Sequence, residues 1–349
     1  MAEICRMMKQ TMKYFLSRQM VRRKKSRAHT VEELERRHIK PSLPGFNDSI
    51  YFAGWQPGGL SFVTRQAFRS GKPHENWLKI HVPEEGVWGF ENISFPAGEG
   101  FRQGPLEYVC KEPGKRWHLK YNGPVRQDGK EEHAVLDIIW EGKGKIIDFD
   151  HTGALPEATA LEIARQPWNR DFFRKLKELH KVHYEQAGEV RGTLTFKGKK
   201  HALAGGGVRD HSFGIRHWEG WHRHIWFLGI LEDGRYFNAS VIDYDFIKNL
   251  KAGYLGKGDA VRTLAGVPSF EQLAWEPSLP KILDLYVQEK NGGEKKHLAA
   301  KMKIFFPFTM DGVYHIRQSL ADFTYDGTPG TGIAEMGINM KKYEPHITG

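Results

Sequence analysis

Short runs of aromatic and β-branched residues, separated by turn residues, recur along most of this chain and constrain its fold more than any other feature. Such runs are typical of β-strands, while Gly, Pro, Asn and Asp favour the turns between them. The pattern predicts antiparallel sheet in both halves. The runs of the first half are Ile50–Trp55, Leu60–Phe68, Trp77–Val82, Leu106–Lys111, Trp117–Tyr121 and Ala134–Trp140. Those of the second half are Gly188–Phe196, Trp226–Glu232, Tyr236–Tyr244, Ile282–Gln288, Leu298–Phe306, His315–Tyr325 and Gly332–Ile338.

One internal segment has helical periodicity instead. Its apolar residues follow helical spacing behind Asn169, which can cap a helix, and they predict a helix over Asn169–Tyr184. With no other strong helical period between the strands, a parallel doubly wound sheet is disfavoured. We therefore predict a mainly β protein of two tandem antiparallel barrels, a form that removes exposed sheet edges. The predicted division is a basic helical segment at 1–45, a first β domain at 46–165, a linking helix at 166–187 and a second β domain at 188–349.

Chain length and cysteine content narrow the class of protein. At 349 residues the chain is too long for one ordinary core, which favours two domains. Cys5 and Cys110 are the only cysteines, so a disulfide framework is not expected and a reducing compartment is favoured. No window approaches the roughly 18 apolar residues of a membrane-spanning helix. We predict an intracellular, cytoplasmic protein.

Basic charge is concentrated at the N-terminus. Nine Lys or Arg residues and a single acidic residue, Glu3, precede Val31 and supply most of the net charge of +10. The rest of the chain is nearly balanced, which argues against a nucleic-acid partner. A basic amphipathic helix can pack on the protein, contact an anionic membrane peripherally or direct the chain to mitochondria. Such a helix is predicted by the apolar residues at near-helical spacing among the cations: Ile4, Met8, Met12, Phe15 and Leu16.

The densest polar and aromatic stretch, from Gly205 to Trp226, contains the cluster Arg209-Asp210-His211-Ser212. If the cluster is extended, strand alternation sends Arg209 and His211 to one face and Asp210 and Ser212 to the other. An Asp beside a His can orient and charge the imidazole, and a nearby Arg keeps a carboxylate ionised, so the cluster can tune a proton donor near neutral pH. The alternative is a knot of ion pairs and hydrogen bonds that fixes one end of a barrel.

Other chemistries for this stretch have weaker support. The adjacency of Asp210, His211 and Ser212 is not the geometry of a catalytic triad. Residues 205–207 are glycines without the Lys-Ser/Thr ending of a phosphate loop and are expected to form a tight turn. Four histidines suggest a metal, but no carboxylate or Cys completes a familiar spacing, so we predict no metal and no cofactor; they are His211, His217, His222 and His224.

The segment Gly207–Trp218, Gly-Val-Arg-Asp-His-Ser-Phe-Gly-Ile-Arg-His-Trp, resembles the signature of a calycin-type superfamily of tandem lipocalin-like domains, whose wider relatives include carotenoid hydratases of the hydroxyneurosporene synthase type. The resemblance is closer to the amino-terminal region of animal phosphoenolpyruvate-utilising phosphotransferase-like proteins, and it extends to His183–Gly188 and Tyr325–Glu335. In these relatives an Asp usually stands at the position of His217, so this chain departs from the pattern there. The resemblance implies that this chain folds into lipocalin-like barrels and is a stand-alone version of the amino-terminal region of those phosphotransferase-like proteins.

Together these features predict that one barrel binds an apolar small molecule, an isoprenoid or another lipid, and that the cluster fixes or transforms it. Hydration, cyclisation and isomerisation of an alkene all begin with proton delivery in a dry pocket, where aromatic faces steady a developing cation. Tryptophans of this stretch can line such a pocket or pack in an ordinary core. A ligand carrier without turnover and an accessory interaction module are the alternatives. The predicted catalytic residues are Arg209, Asp210, His211 and Glu335, and the predicted ligand-binding residues are Ser212, Arg216, Trp218, Trp221 and Trp226.

Overall fold

The strand-forming runs pair into two antiparallel sheets, so the predicted mainly β fold is confirmed. The computed structural model describes residues 2–23, 29–179, 181–272 and 281–342. The strands of the first sheet are β1 (Phe46–Trp55), β2 (Ser61–Arg69), β3 (Glu75–Val82), β4 (Gly86–Ile93), β5 (Phe101–Gln103), β6 (Leu106–Glu112), β7 (Arg116–Gln127), β8 (Lys130–Gly142), β9 (Ile147–Asp148), β10 (Lys181–Phe196) and β11 (Lys199–Ile215). Those of the second sheet are β12 (Trp221–Leu231), β13 (Arg235–Tyr244), β14 (Leu250–Lys257), β15 (Ala260–Thr263), β16 (Ile282–Gln288), β17 (Lys295–Met310), β18 (Tyr314–Tyr325) and β19 (Thr328–Asn339).

Both sheets curve back on themselves. The first has the order β4-β3-β2-β1-β11-β10-β8-β7-β6-β5, and β4 also pairs with β7 through Gly89 and Arg126. The strands from β4 to β7 in that order therefore form a closed ring, whose interior side chains can fill. The second has the order β15-β14-β13-β12-β19-β18-β17-β16. The segment after β15 bonds to the end of β16 through Gly266 and Gln288, which brings the two edges of this sheet together.

Two long strands, β10 and β11, belong to the first sheet, although the predicted division assigns most of their residues to the second domain. β1 pairs along the whole of its own length with residues 206–215 of β11, and β10 pairs with β8. The chain therefore passes to the second sheet after Ile215, and not at residue 188, where the predicted division begins the second domain. Ring closure explains the difference, because β1 and β8 would otherwise present unpaired edges.

The helices are α1 (Ala2–Arg23), α2 (Val31–Glu35), α3 (Pro156–Arg165) and α4 (Arg170–Glu178). Asn169 caps α4 by accepting from the Phe172 N–H, as predicted, but the helix ends at Glu178 instead of Tyr184. From Lys181 onward the backbone pairs with β11, and this ladder outweighs the local helical spacing. α3 is not predicted by the sequence pattern. No described helix is long and apolar enough to cross a membrane.

Three large apolar clusters form most of the core. One cluster, around Phe52 and Trp117, occupies the first barrel, and a second, around Phe227 and Phe323, covers one face of the second sheet. A third cluster lies between the two sheets. Because β1 has one face in the barrel and the other against the second sheet, all of its residues are buried. The layer between the sheets contains the candidate site.

Candidate functional site

A cavity of about 240 Å³ lies between the facing sides of the two sheets. Most of its lining residues come from β1, β2, β10 and β11 on one side and from β12, β13, β18 and β19 on the other. The interior of the first barrel, in contrast, is filled by its own apolar cluster. The candidate site therefore lies between the barrels, whereas the sequence predicts a ligand inside one of them.

Strand alternation divides the Arg209–Ser212 cluster between two environments, as predicted. Asp210 and Ser212 face the cavity, whereas Arg209 and His211 are fully buried on the opposite face of β11. Arg209 and His211 are therefore not brought to the cavity. The predicted site residues that line it are Asp210, Ser212, Arg216, Trp218, Trp221, Trp226 and Glu335.

Arg209 belongs to a buried network with the N-terminal segment. Its guanidinium donates to Glu35 Oε1 at 2.6 Å and to Gln186 Oε1 at 2.8 Å. Glu35 Oε2 accepts from Trp117 Nε1 at 2.6 Å. The side chains of Arg209 and Glu35 are 0% and 2% exposed, so the ion pair is shielded from solvent. This pair ties the end of α2 to β11.

His211 continues the same network. Its Nε2 lies 2.5 Å from Asp48 Oδ1, and its Nδ1 lies 2.9 Å from the Tyr184 hydroxyl, which is 3.0 Å from Glu35 Oε1. Asp48 Oδ2 accepts from the backbone N–H of His38 at 2.5 Å. Arg209 and His211 thus form the kind of hydrogen-bonded knot that the sequence leaves open as the alternative to a proton donor.

His183 stands on the first wall of the cavity. Its Nε2 lies 3.6 Å from Asp210 Oδ2 and 3.5 Å from Glu185 Oε1. The ring stacks on Phe149 with centroids 4.6 Å apart and planes inclined by 6°. Nε2 is buried and has no hydrogen-bond partner among the described residues. Buried polar atoms are nearly always paired, so a polar atom of a bound molecule can complete the bonding of this nitrogen.

A carboxyl group with a raised pKa lies behind His183. Glu185 is fully buried and accepts hydrogen bonds from Trp226 Nε1 at 2.5 Å, the Tyr254 hydroxyl at 2.9 Å and the Asn238 amide at 3.0 Å. Burial raises the pKa of Glu185 to about 7, although electrostatic interaction with His183 and the hydrogen bonds from Trp226 and Tyr254 oppose the shift. At neutral pH this carboxyl group can therefore both hold and release a proton.

The pKa of Asp210, on the other side of His183, moves in the opposite direction. Burial alone would raise it, but the neighbouring His183 and the Arg216 and Arg65 guanidinium groups outweigh burial and lower the pKa below its usual value. One imidazole thus lies between two carboxyl groups whose pKa values are pushed apart. Such separation assigns different acid and base roles to two similar groups.

The opposite wall carries a second imidazole–carboxylate pair. His224 Nε2 lies 2.8 Å from Glu335 Oε1, and its Nδ1 lies 2.6 Å from the Tyr314 hydroxyl. Gln318 donates to Glu335 Oε2 at 2.6 Å and accepts from the Tyr51 hydroxyl at 3.0 Å. Because Tyr51 belongs to β1, this chain of hydrogen bonds crosses from one sheet to the other. Burial, reinforced by the Glu335 charge, raises the pKa of Tyr51 well above its ordinary value and keeps it neutral.

Aromatic rings and cations complete the walls. The rings of Trp218 and Trp221 lie 4.7 Å apart. The Arg216 guanidinium is 5.3 Å from the centre of Trp218, and Lys181 Nζ is 4.4 Å from the centre of Trp221. Cations held over aromatic faces in this way are stabilised by the ring quadrupoles.

His183 and Glu185 are not among the site residues predicted from the sequence. The available signal is strand alternation, because residues 183 and 185 pair with 212 and 210 and so share their face. The helix predicted over this segment hides the strand alternation of residues 183 and 185. His224 is noted only as a candidate metal ligand. Within the described residues, no group of three or more His, Cys, Asp or Glu side chains is placed to hold a metal ion.

Comparison with known proteins identifies the fold. A family profile described as a domain of unknown function (DUF7064) matches residues 31–340, and no curated protein matches the sequence significantly. A solved structure from Nitrosomonas europaea, described as an AttH protein, has 14% identity, covers 85% of this chain and 93% of its own, and gives a TM-score of 0.53. Kievitone hydratase from Nectria haematococca (11% identity, 90% and 96% coverage, TM-score 0.49) and CghA (9%, 86% and 89%, 0.48) are also similar.

Proposed function

Since this chain belongs to the DUF7064 family of domains of unknown function, we propose its activity from its own residues: an acid–base enzyme that acts on an apolar, unsaturated small molecule between the two sheets. The reaction class is proton-initiated hydration, cyclisation or isomerisation of an alkene, with an isoprenoid or another lipid as substrate. The sequence resemblance to carotenoid hydratases supports this class. The closer resemblance, to animal phosphotransferase-like proteins, stays a prediction.

The observation that carries the proposal is the setting of His183. Its Nε2 is buried on the cavity wall without a hydrogen-bond partner among the described residues and lies within 4 Å of both Asp210 and Glu185. In the proposed reaction this nitrogen donates a proton to an alkene carbon, Asp210 orients the ring, and Glu185 resupplies the proton. A general acid works best when its proton source has a pKa near the working pH, which fits Glu185.

The remaining walls of the cavity can stabilise the carbocation intermediate of this reaction. Protonation of one alkene carbon leaves positive charge on its neighbour, which the faces of Trp218, Trp221 and Trp226 stabilise. In hydration, a water adds to that carbon and releases a proton to the His224–Glu335 pair. In isomerisation or cyclisation, the same pair removes a proton from carbon. The cavity exceeds the roughly 150 Å³ that encloses benzene, so it accommodates a short isoprenoid.

The alternative is a carrier that uses the same cavity without turnover. Molecules retained by the purified protein can be extracted and identified by mass spectrometry, then returned to the protein. An enzyme of the proposed class adds one water to the molecule or changes its chromatographic retention at constant mass. An unchanged molecule indicates a carrier and contradicts the proposal.

Cavity-filling variants test whether the ligand binds between the two sheets. Ala252 lines the cavity, and Ala252→Trp is expected to abolish ligand retention. Ala299→Trp, on β17 and outside the cavity lining, is the matched control and is expected to retain the ligand. Loss of retention in both variants or in neither would argue against binding between the sheets.

A second proposal concerns α1, which binds the body of the protein by its polar side. Tyr14 and Arg18 hydrogen-bond to Glu157 of α3, and Ser17 is fully buried. The opposite side presents an exposed apolar stripe: Met8 (68% exposed), Met12 (59%), Phe15 (56%) and Leu16 (43%). We propose that this stripe, together with the surrounding basic charge, contacts an anionic membrane surface. An intracellular location remains part of the proposal and is supported by the free thiol of Cys110.

Sedimentation with phosphatidylcholine vesicles, with and without phosphatidylserine, tests this contact. Binding is expected only with phosphatidylserine and is expected to be lost when Met8, Met12 and Phe15 are changed to Gln. Met340→Gln removes another exposed methionine and serves as the control. If the triple variant instead lowers the mass of the protein in light scattering, the stripe is an interface between two copies, and the membrane proposal is wrong.

A further inference from the structure

Three cationic side chains line the cavity at the wall that carries Ser212. Arg65 comes from β2, Lys181 from the start of β10, and Arg216 follows β11. Burial and the neighbouring Arg65 lower the pKa of Arg216 to about 10, and burial and Arg216 lower the pKa of Lys181 well below its ordinary value, so a bound anion would favour the charged form of both. Like charges gathered in a partly buried cavity destabilise a protein unless an anion compensates them.

The guanidinium of Arg65 is only partly satisfied. Its Nη1 donates to Glu75 at 2.7 Å and its Nε to Ser49 Oγ at 2.7 Å. The side chain is 5% exposed, and its Nη2 is buried with no hydrogen-bond partner among the described residues. Leaving a buried charged donor unpaired is costly, so this nitrogen is suited to an acceptor supplied by a ligand.

The other two cations have no carboxylate in direct contact, although Asp210 interacts with both at longer range. Arg216 donates to the neutral hydroxyl of Ser212 at 2.6 Å and lies over Trp218. Lys181 lies over Trp221. Among the described residues, neither cation has a carboxylate oxygen within the 4.0 Å of an ion pair, whereas Arg65 has Glu75. The carboxylates that do line the cavity, Asp210 and Glu335, lie beside His183 and His224 instead.

We propose that the molecule bound between the sheets carries a carboxylate, held by Arg65, Lys181 and Arg216, with its apolar body against the tryptophans. A guanidinium presents N–H groups in a fork that matches a carboxylate, and the lysine adds a third donor. This inference rests on the proposed function, because it names the substrate class of the same cavity. It also orients the substrate, since an anchored carboxylate fixes the distance from the polar end to the carbon that meets His183.

Binding of a matched set of probes tests the inference. Geranic acid, geraniol and geranyl phosphate share one apolar chain and differ in the polar end. Titration calorimetry is expected to give geranic acid an affinity at least about tenfold above that of geraniol, the usual gain from hydrogen bonds to charged groups. Stronger binding of geranyl phosphate would overturn the choice of a carboxylate.

Substitutions of the cationic residues test whether they cause the preference for geranic acid over geraniol. Lys181→Met and Arg216→Gln are each expected to reduce the ratio of the affinity for geranic acid to the affinity for geraniol severalfold. Lys200→Met removes an equal charge from an exposed position on β11 and is expected to change neither affinity. Equal affinities for acid and alcohol in the wild-type protein would overturn the carboxylate inference and leave the proposed function standing. If none of the three probes binds, both are overturned. Circular dichroism confirms that each variant is folded, and a preference that survives both substitutions would also refute the inference.

Discussion

Replacing Arg209 with Met is expected to destabilise the protein by about 3–5 kcal/mol, although Arg209 lies outside the cavity. The change removes the bonds from Arg209 to Glu35 and Gln186, which measure 2.6 and 2.8 Å. It also leaves the carboxylate of Glu35, 2% exposed, without its counterion in the interior. Breaking a buried ion pair from one side is costly for this reason, while the intact pair contributes little net stability.

Urea unfolding of the single and double variants measures this cost. Arg209→Met combined with Glu35→Gln is expected to recover part of the loss, because no uncompensated charge remains. Asp210→Asn, the adjacent residue on the cavity side, is expected to cost under about 1.5 kcal/mol, because the Asp210 side chain is 22% exposed and the nearest side chain that can form an ion pair with it, His183, is 3.6 Å away. Two results would refute the assignment of Arg209 to a structural role and of Asp210 to the cavity. One is an Arg209→Met variant as stable as the wild type, and the other is an Asp210→Asn variant as unstable as Arg209→Met.

Three further predictions concern other parts of the molecule. The raised pKa of Glu185, about 7 against an ordinary 4.5, means that the folded state binds this proton more tightly than the unfolded state. The stability that Glu185 contributes is fully present below about pH 4.5 and is lost as the pH rises through 7. The loss is on the order of 3 kcal/mol. Glu185→Gln is expected to remove this pH dependence from the free energy of unfolding measured across the same range. Deleting residues 1–27 is expected to lower the free energy of unfolding by under about 2 kcal/mol, because the ion pairs from α1 to Glu157 are exposed and such pairs contribute little. Thermal melting measures the change, and a loss comparable to that of Arg209→Met would contradict this prediction. Gly337→Ala places a methyl group against His224 and Tyr314, so turnover is expected to fall by an order of magnitude or more, and a variant with full activity would exclude His224 from the reaction.

Local patterns in the sequence account for the fold class and for one wall of the site. Strand alternation alone places Asp210 and Ser212 on one face and Arg209 and His211 on the other, and the structure agrees. The amphipathic spacing of α1 is also visible in the sequence, but spacing does not indicate which side of a helix meets the protein. In α1 the polar side does, through Tyr14 and Arg18.

Long-range pairing determines the rest of the site. His183 reaches the cavity because β10 pairs with β11 in a register that aligns it with Ser212, and no local signal encodes that register. The helical spacing before Leu179 extends the predicted helix over His183 and hides its strand character. The position of the cavity is equally non-local, because β1 is buried on both faces and its sequence does not show which face meets a barrel interior.

Deuterium incorporation tests the central claim, proton delivery by His183 to a carbon of the bound molecule, most directly. The molecule extracted from the protein is incubated with wild-type, His183→Gln and His297→Gln protein in D₂O and analysed by mass spectrometry. His297 lies on β17 outside the cavity lining and serves as the control. We expect deuterium at carbon with the wild type and the control, and none with His183→Gln although it still retains the molecule. Incorporation at the wild-type rate by His183→Gln would contradict the account.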